Sequence, residues 1–139
     1  MNPIDWAQLE ALADAVRKRA YAPYSHFNVG AALQVASGAI FAGCNVENAS
    51  FGLTVCAERS AVAQMIAASE RDPVALVVVT RGATIATPCG ACRQTLAEFA
   101  ADLPIRLLLA QGGGVRMTSL AVLFPDGFRS HVLTGDPTQ

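Results

Sequence analysis

Charge is scarce in this chain, and so are aromatic rings and histidines. Of 139 residues only 15% are charged, and 10 basic residues nearly cancel 11 acidic ones, leaving a formal net charge of -1. That balance excludes the basic footprint that long polynucleotides and anionic membranes require, and it points to a small neutral partner. Aromatics make up 6% and histidines number 2, His26 and His131, neither at metal-ligand spacing. No window approaches the roughly 20 uninterrupted apolar residues of a membrane helix. The opening Met1-Asn2-Pro3-Ile4-Asp5-Trp6 lacks the basic and apolar regions of a secretory signal, so a cytoplasmic protein is the expectation. What the chain has in excess is apolar residues, 53%, enough for one domain over residues 1–139 with a filled core.

Hydrophobic spacing supplies the elements. Trp6, Leu9, Leu12, Ala13 and Val16 recur at helical intervals, predicting a first helix over 5–20, with Arg17, Lys18 and Arg19 where the helix dipole favours cations. Residues 29–35 and 39–43 flank Ser37-Gly38 and read as an antiparallel hairpin. A long connection, 45–55, leads to a second helix from Cys56 to Ala68. Residues 74–80 and 105–110 are apolar runs with the character of buried strands. Between them a third helix is predicted over 89–101, with Pro88 at its first position. Gly112-Gly113-Gly114 turns into a short strand, 115–117. Strands separated by helices predict an α/β fold, a three-layer α/β/α sandwich around a mixed sheet of about five strands.

Four cysteines in a chain without an export signal are poor candidates for disulfides and better ones for metal or catalysis. Cys89 and Cys92 form C-x-x-C after Pro88, and Cys56 opens Cys56-Ala57-Glu58. Both groups stand where a loop becomes a helix, so free backbone N–H groups and the positive dipole end favour thiolates, the form that binds zinc. Three cysteine ligands leave a fourth position open, as in a catalytic site; a structural site would be closed, and Cys44 is the residue that could close it. Otherwise Cys44 reads as a small buried hydrophobe. Glu58, two residues past the first ligand, is placed beside the metal without chelating it, free to move protons to and from a bound water. Three thiolates on one Zn²⁺ carry excess negative charge, and Arg59 is the favoured residue to withdraw it; Arg93 reads as a solvated helix charge.

This Cys-x-Glu…Pro-Cys-x-x-Cys order is a form of the nucleobase deaminase signature. With Tyr21-Ala22-Pro23-Tyr24-Ser25-His26-Phe27-Asn28-Val29-Gly30 and Gly43-Cys44-Asn45-Val46-Glu47-Asn48-Ala49-Ser50, it makes the chain resemble the small, homotetrameric cytidine deaminases over most of its length. The resemblance implies one Zn²⁺ per subunit on Cys56, Cys89 and Cys92, with Glu58 as proton shuttle. It implies Asn45 and Glu47 on the ribose 3′-hydroxyl, Phe27 on the pyrimidine and Ala57 in the substrate site. It further implies a homotetramer with shared active sites, in which Ala49, Phe51 and Phe128 complete a neighbour's site. The reaction implied is hydrolysis of cytidine and deoxycytidine to uridine and deoxyuridine in pyrimidine salvage, with no nucleic acid polymer or membrane as partner. Phe51 stands where the family usually has Tyr, so the ring remains and its hydroxyl is gone. Two other readings stay open: a deaminase of the same fold acting on another aminopyrimidine, and a structural zinc protein closed by Cys44.

Overall fold

A computed structural model describes residues 2–135. Helix α1 (Trp6–Arg17) starts where the Asp5 carboxylate accepts the Gln8 N–H, an N-cap that satisfies one of the free donors of the first turn. It ends short of the predicted 20, because the chain is drawn at Tyr21 into an isolated bridge with Val46. The hairpin forms as β1 (Gly30–Val35) and β2 (Ile40–Cys44), turning through Gly38 at φ 95°, a conformation open to glycine. Helix α2 (Ala57–Ala67), strand β3 (Pro73–Thr80), helix α3 (Gly90–Phe99) and strands β4 (Pro104–Leu109) and β5 (Gly114–Ser119) follow.

The five strands lie in the order β2-β1-β3-β4-β5. Only β3 and β4 pair in parallel, joined by α3, and every other pair is antiparallel, so the sheet is mixed as the alternation of elements implied. α1 covers one face, where Leu9 and Ala13 pack on Ala32, Ala75, Val77 and Val79. α2 and α3 cover the other, where Ala61, Met65 and Leu96 pack on Leu33, Leu76, Val78 and Ile105. β1 and β3 are buried almost throughout, which is why their sequences lack strict alternation. β4 alternates, with Ile105, Leu107 and Leu109 buried.

Two glycines set the helices' closeness to the sheet. A Cβ on Gly30 would lie 1.9 Å from the Ala13 carbonyl oxygen of α1. One on Gly43 would lie 2.5 Å from the Ala61 nitrogen and 2.8 Å from the Ala57 oxygen of α2. Any larger residue at Gly43 therefore pushes away the helix that begins at Cys56.

Several expectations need correction. Pro88 is not the first residue of α3: Cys89 is the N-cap, in extended conformation, and the proline stands one residue outside it, fixing the approach to the cap. Cys44 is half-buried at the end of a sheet-edge strand, not a core residue. Residues 45–55 are more ordered than a plain connection, with Val46 bridged to both Tyr21 and Val55 and a 3-10 turn at Phe51–Leu53. Two short helices close the fold, α4 (Leu120–Leu123) and α5 (Ser130–Thr134). The first is capped by the Ser119 hydroxyl, and Arg129 ties the second to the carbonyls of Ala97, Ala100 and Ala101 at the end of α3. No helix among the described residues is long and apolar enough to cross a membrane.

Candidate active site

Topology brings the two cysteine groups together. α2 runs back along the sheet into β3, and α3 follows β3, so both helices present their N-termini at the carboxyl end of β3, where open α/β sheets bind ligands. Cys56 caps α2 and Cys89 caps α3, each with extended φ/ψ. Cys92, one turn into α3, is buried.

The three sulfurs form a compact cluster, with Cys56 Sγ 3.7 Å from Cys89 Sγ and Cys89 Sγ 3.6 Å from Cys92 Sγ. A tetrahedral zinc with Zn–S bonds of about 2.3 Å spaces its sulfurs about 3.8 Å apart, so the cluster fits that ion with little movement. Cys44 does not belong to it, and neither histidine does. Three cysteine side chains, not four, therefore gather among the described residues, the ligand count of a catalytic site.

The electrostatics favour ionised sulfur at Cys56 and oppose it at Cys92. Cys56 is lowered to about 5 by the hydrogen bond from the Cys92 thiol, against the cost of burial, with the Arg59 guanidinium adding to the effect. Cys92 is pushed up by that same shared hydrogen bond, then by burial and the negative charges of Glu58 and Cys56. Cys56 and Cys92 thus hold one proton between them, and a divalent cation beside them would favour its loss. Arg59 Nη2 donates to the Thr54 carbonyl at 2.9 Å and reaches Cys56 Sγ at 4.0 Å.

Glu58 sits one residue inside α2, only 5% exposed. Burial raises its pKa above the ordinary carboxyl range, and the Cys56 charge adds to the rise, while the Cys92 thiol and Arg59 oppose it. A carboxyl that holds a proton more readily than usual is suited to take one up and give it back. It faces a cavity of about 180 Å³ whose walls include Phe27, Val29, Asn45, Cys56, Ala57, Thr80 and Cys89.

Asn45 closes the far side of this cavity and braces it. Its Oδ1 accepts the Val29 N–H at 2.8 Å and its Nδ2 donates to the Phe27 carbonyl at 2.8 Å, which leaves one lone pair and one N–H for another partner. Glu47 lies outside, in a cleft shared with Tyr24, Ser25, Phe51 and Thr54. Its carboxylate accepts a hydrogen bond from the Ser25 hydroxyl and others from the N–H groups of Ser25 and Tyr24, which hold its pKa below the ordinary value. The Ser25 hydroxyl in turn accepts the Phe27 N–H at 3.0 Å, so one side chain links Glu47 to the residue that walls the cavity. Phe51 is 70% exposed and stands edge-on to Tyr24, with ring centroids 5.7 Å apart. Ala49 is exposed, and Phe128 is 54% exposed with its carbonyl held by Gln94 Nε2 at 2.7 Å; neither lines the cavity or the cleft.

Arg93 departs from the expectation of a solvated charge. It is half-buried and donates to the Pro88 carbonyl at 2.7 Å, the Leu123 carbonyl at 2.6 Å and the Thr87 hydroxyl at 2.9 Å. It thereby fixes the turn that delivers Cys89 and locks it to α4. Ser25 and Thr80 were also missed. For Ser25 a signal existed, since a hydroxyl two residues before a backbone N–H is common turn chemistry.

A mixed sheet with helices on both faces, a three-sulfur metal site at two helix N-termini and a buried carboxyl against it define a zinc-dependent enzyme of the deaminase kind. A family model described as "Cytidine and deoxycytidylate deaminase zinc-binding region" matches residues 6–105, and the chain belongs to that family. It is 39% identical over 132 residues to a cytidine deaminase of Sporosarcina psychrophila, covering 94% of this chain and 96% of that one. It is 44% identical over 113 residues to a cytidine deaminase of Halalkalibacterium halodurans, covering 81% and 85%. The crystal structure of cytidine deaminase from Burkholderia pseudomallei superposes with a TM-score of 0.84 at 46% identity, covering 90% of this chain and 100% of that one.

Proposed function

We propose that this chain hydrolyses cytidine and 2′-deoxycytidine to uridine and 2′-deoxyuridine, releasing ammonia, in cytoplasmic pyrimidine salvage. The observation that carries the reading is the buried Glu58 carboxyl beside three clustered cysteine sulfurs, lining a cavity with an apolar wall suited to a ring. Zinc on Cys56, Cys89 and Cys92 supplies the Lewis acidity that makes water a nucleophile at neutral pH. Glu58 takes a proton from the attacking water and delivers it to ring N3, then takes the second proton from the hydroxyl newly attached at C4 and gives it to the amino group, which leaves as ammonia as the C4–N bond breaks and the C4 carbonyl forms, so one carboxyl serves both transfers. Arg59 withdraws charge from the Cys56 sulfur, offsetting three thiolates on a divalent ion. Phe27 packs on the pyrimidine, Ala57 borders it, and the unused lone pair and N–H of Asn45 together with the Glu47 carboxylate receive the ribose 3′-hydroxyl.

Exposed rings support a site completed by neighbouring subunits of a homotetramer. Phe51 and Phe128 are each more than half exposed, and Ala49 stands two residues before Phe51. The test is subunit mixing. Chains carrying Glu58→Gln and chains carrying Phe128→Ser are each impaired alone; unfolded, mixed and refolded together, they regain activity above the sum of the two, because hybrids contain sites with a native Glu58 and a neighbour's native Phe128. Activity no greater than the sum removes Phe128 from the shared site.

A further inference from the structure

We infer that Thr80 is a specificity-determining contact whose hydroxyl hydrogen-bonds the pyrimidine ring of the bound nucleoside. This deepens the deaminase reading and rests on it. β3 is apolar from Pro73 to Val79 and ends on a threonine that is 2% exposed. Leu76, Val78 and Thr80 alternate onto the face that α2 and α3 cover, and Val78 and Thr80 line the cavity beside Glu58 and Cys89. The backbone of Thr80 is paired with Leu109 of β4, but its Oγ1 is sealed from solvent and has no hydrogen-bond partner.

An unpaired buried hydroxyl carries an uncompensated desolvation penalty, which native interiors seldom bear without a reason. Valine, the same shape without the penalty, stands at the three preceding positions, Val77, Val78 and Val79, so the strand has no structural need of a hydroxyl. The neighbouring Asn45 amide turns one donor and one acceptor to the Phe27 carbonyl and the Val29 N–H, and neither of these bonds reaches Thr80. A partner for Thr80 is therefore sought in what fills the cavity. A pyrimidine presents both ring acceptors and, in cytosine, an amine donor, and a hydroxyl can meet either. The methyl and hydroxyl of threonine exchange places by a rotation between staggered wells, so the side chain can turn its oxygen to the ring without backbone movement.

Thr80→Val and Thr80→Ser separate the possibilities. In zinc-loaded protein, the affinity for uridine is read by calorimetry, kcat and KM on cytidine by ammonia release, and stability of the nucleoside-free protein by denaturant midpoint. Val is expected to be at least as stable as the parent, to bind uridine about 5- to 10-fold more weakly and to raise KM more than it lowers kcat; Ser is expected to keep parental affinity. Unchanged uridine affinity in Val overturns the assignment. So does a Val variant less stable than the parent, since that places the hydroxyl's partner inside the protein. A parent that neither binds uridine nor consumes cytidine contradicts the deaminase reading itself, whereas parental binding that Val leaves intact contradicts Thr80 alone.

Discussion

Glu58→Gln is expected to lower turnover of cytidine by about 10⁴-fold or more while leaving the fold and one zinc per chain in place. The magnitude follows from role: a positioned acid or base contributes about 10²–10⁴-fold to one transfer, and Glu58 is assigned more than one. Retention of metal follows from geometry, since the three sulfurs form the metal site and Glu58 is not among them. Zinc content by atomic absorption, with steady-state rates, checks both halves. The same variant carries a pH signature in its zinc-free form. The folded-state pKa of Glu58 lies above its ordinary value, so folding favours the protonated carboxyl. Its stability contribution is full below about 4.3 and is lost as pH rises through the raised value. Gln bears no charge, so the variant gains stability relative to the parent as pH climbs from acid toward neutrality. A variant that parallels the parent across that range contradicts the buried, protonatable carboxyl.

Loss of a ligand is expected to act on both metal and fold. Cys92→Ser removes a buried sulfur from a three-ligand site, so zinc dissociates, deamination stops and the midpoint of unfolding drops. Where free zinc stands about 1,000-fold above its Kd, the bound ion stabilises the folded chain by about 4 kcal/mol, all of which the variant forfeits. A chelator applied to the parent reproduces the shift and leaves the variant unmoved. Cys44→Ser is the control that decides the rival. A structural site closed by a fourth cysteine loses zinc with Cys44, whereas this cluster excludes Cys44 and retains the metal. Zinc loss in Cys44→Ser contradicts the open site.

Much of this was legible because it depends on local order. The change from loop composition to helical spacing marks where α2 and α3 begin, so Cys56 and Cys89 were legible at the starts of those helices. The hairpin followed from Ser37-Gly38, and the buried strands from unbroken apolar runs. What escaped depends on contacts remote in sequence. Arg93 looks like any exposed helix cation until α4 brings the Leu123 carbonyl to it across 30 residues. α4, a helix of four residues, is too short to show a period and is held by Ser119 and Asp102 side chains accepting its first N–H groups. The half-burial of Cys44 reflects the edge position of β2, a property of strand order. Pro88 stands two residues before the first helical residue, the position expected of it, because proline suits both the first helical turn and the approach to a cap. Thr80 could not be singled out at all, since only the three-dimensional arrangement shows its hydroxyl to be sealed and alone.

Three cysteines and one buried glutamate make this chain a cytidine deaminase, and the product balance from cytidine checks that assignment in one experiment. Purified protein loaded with one zinc per chain is incubated with cytidine, and ammonia and uridine are quantified together. The account predicts that both appear in equal amounts and that neither appears with Glu58→Gln under the same conditions. Zinc-loaded parent that releases no ammonia from cytidine or deoxycytidine, or Glu58→Gln that releases it at the parental rate, contradicts the account.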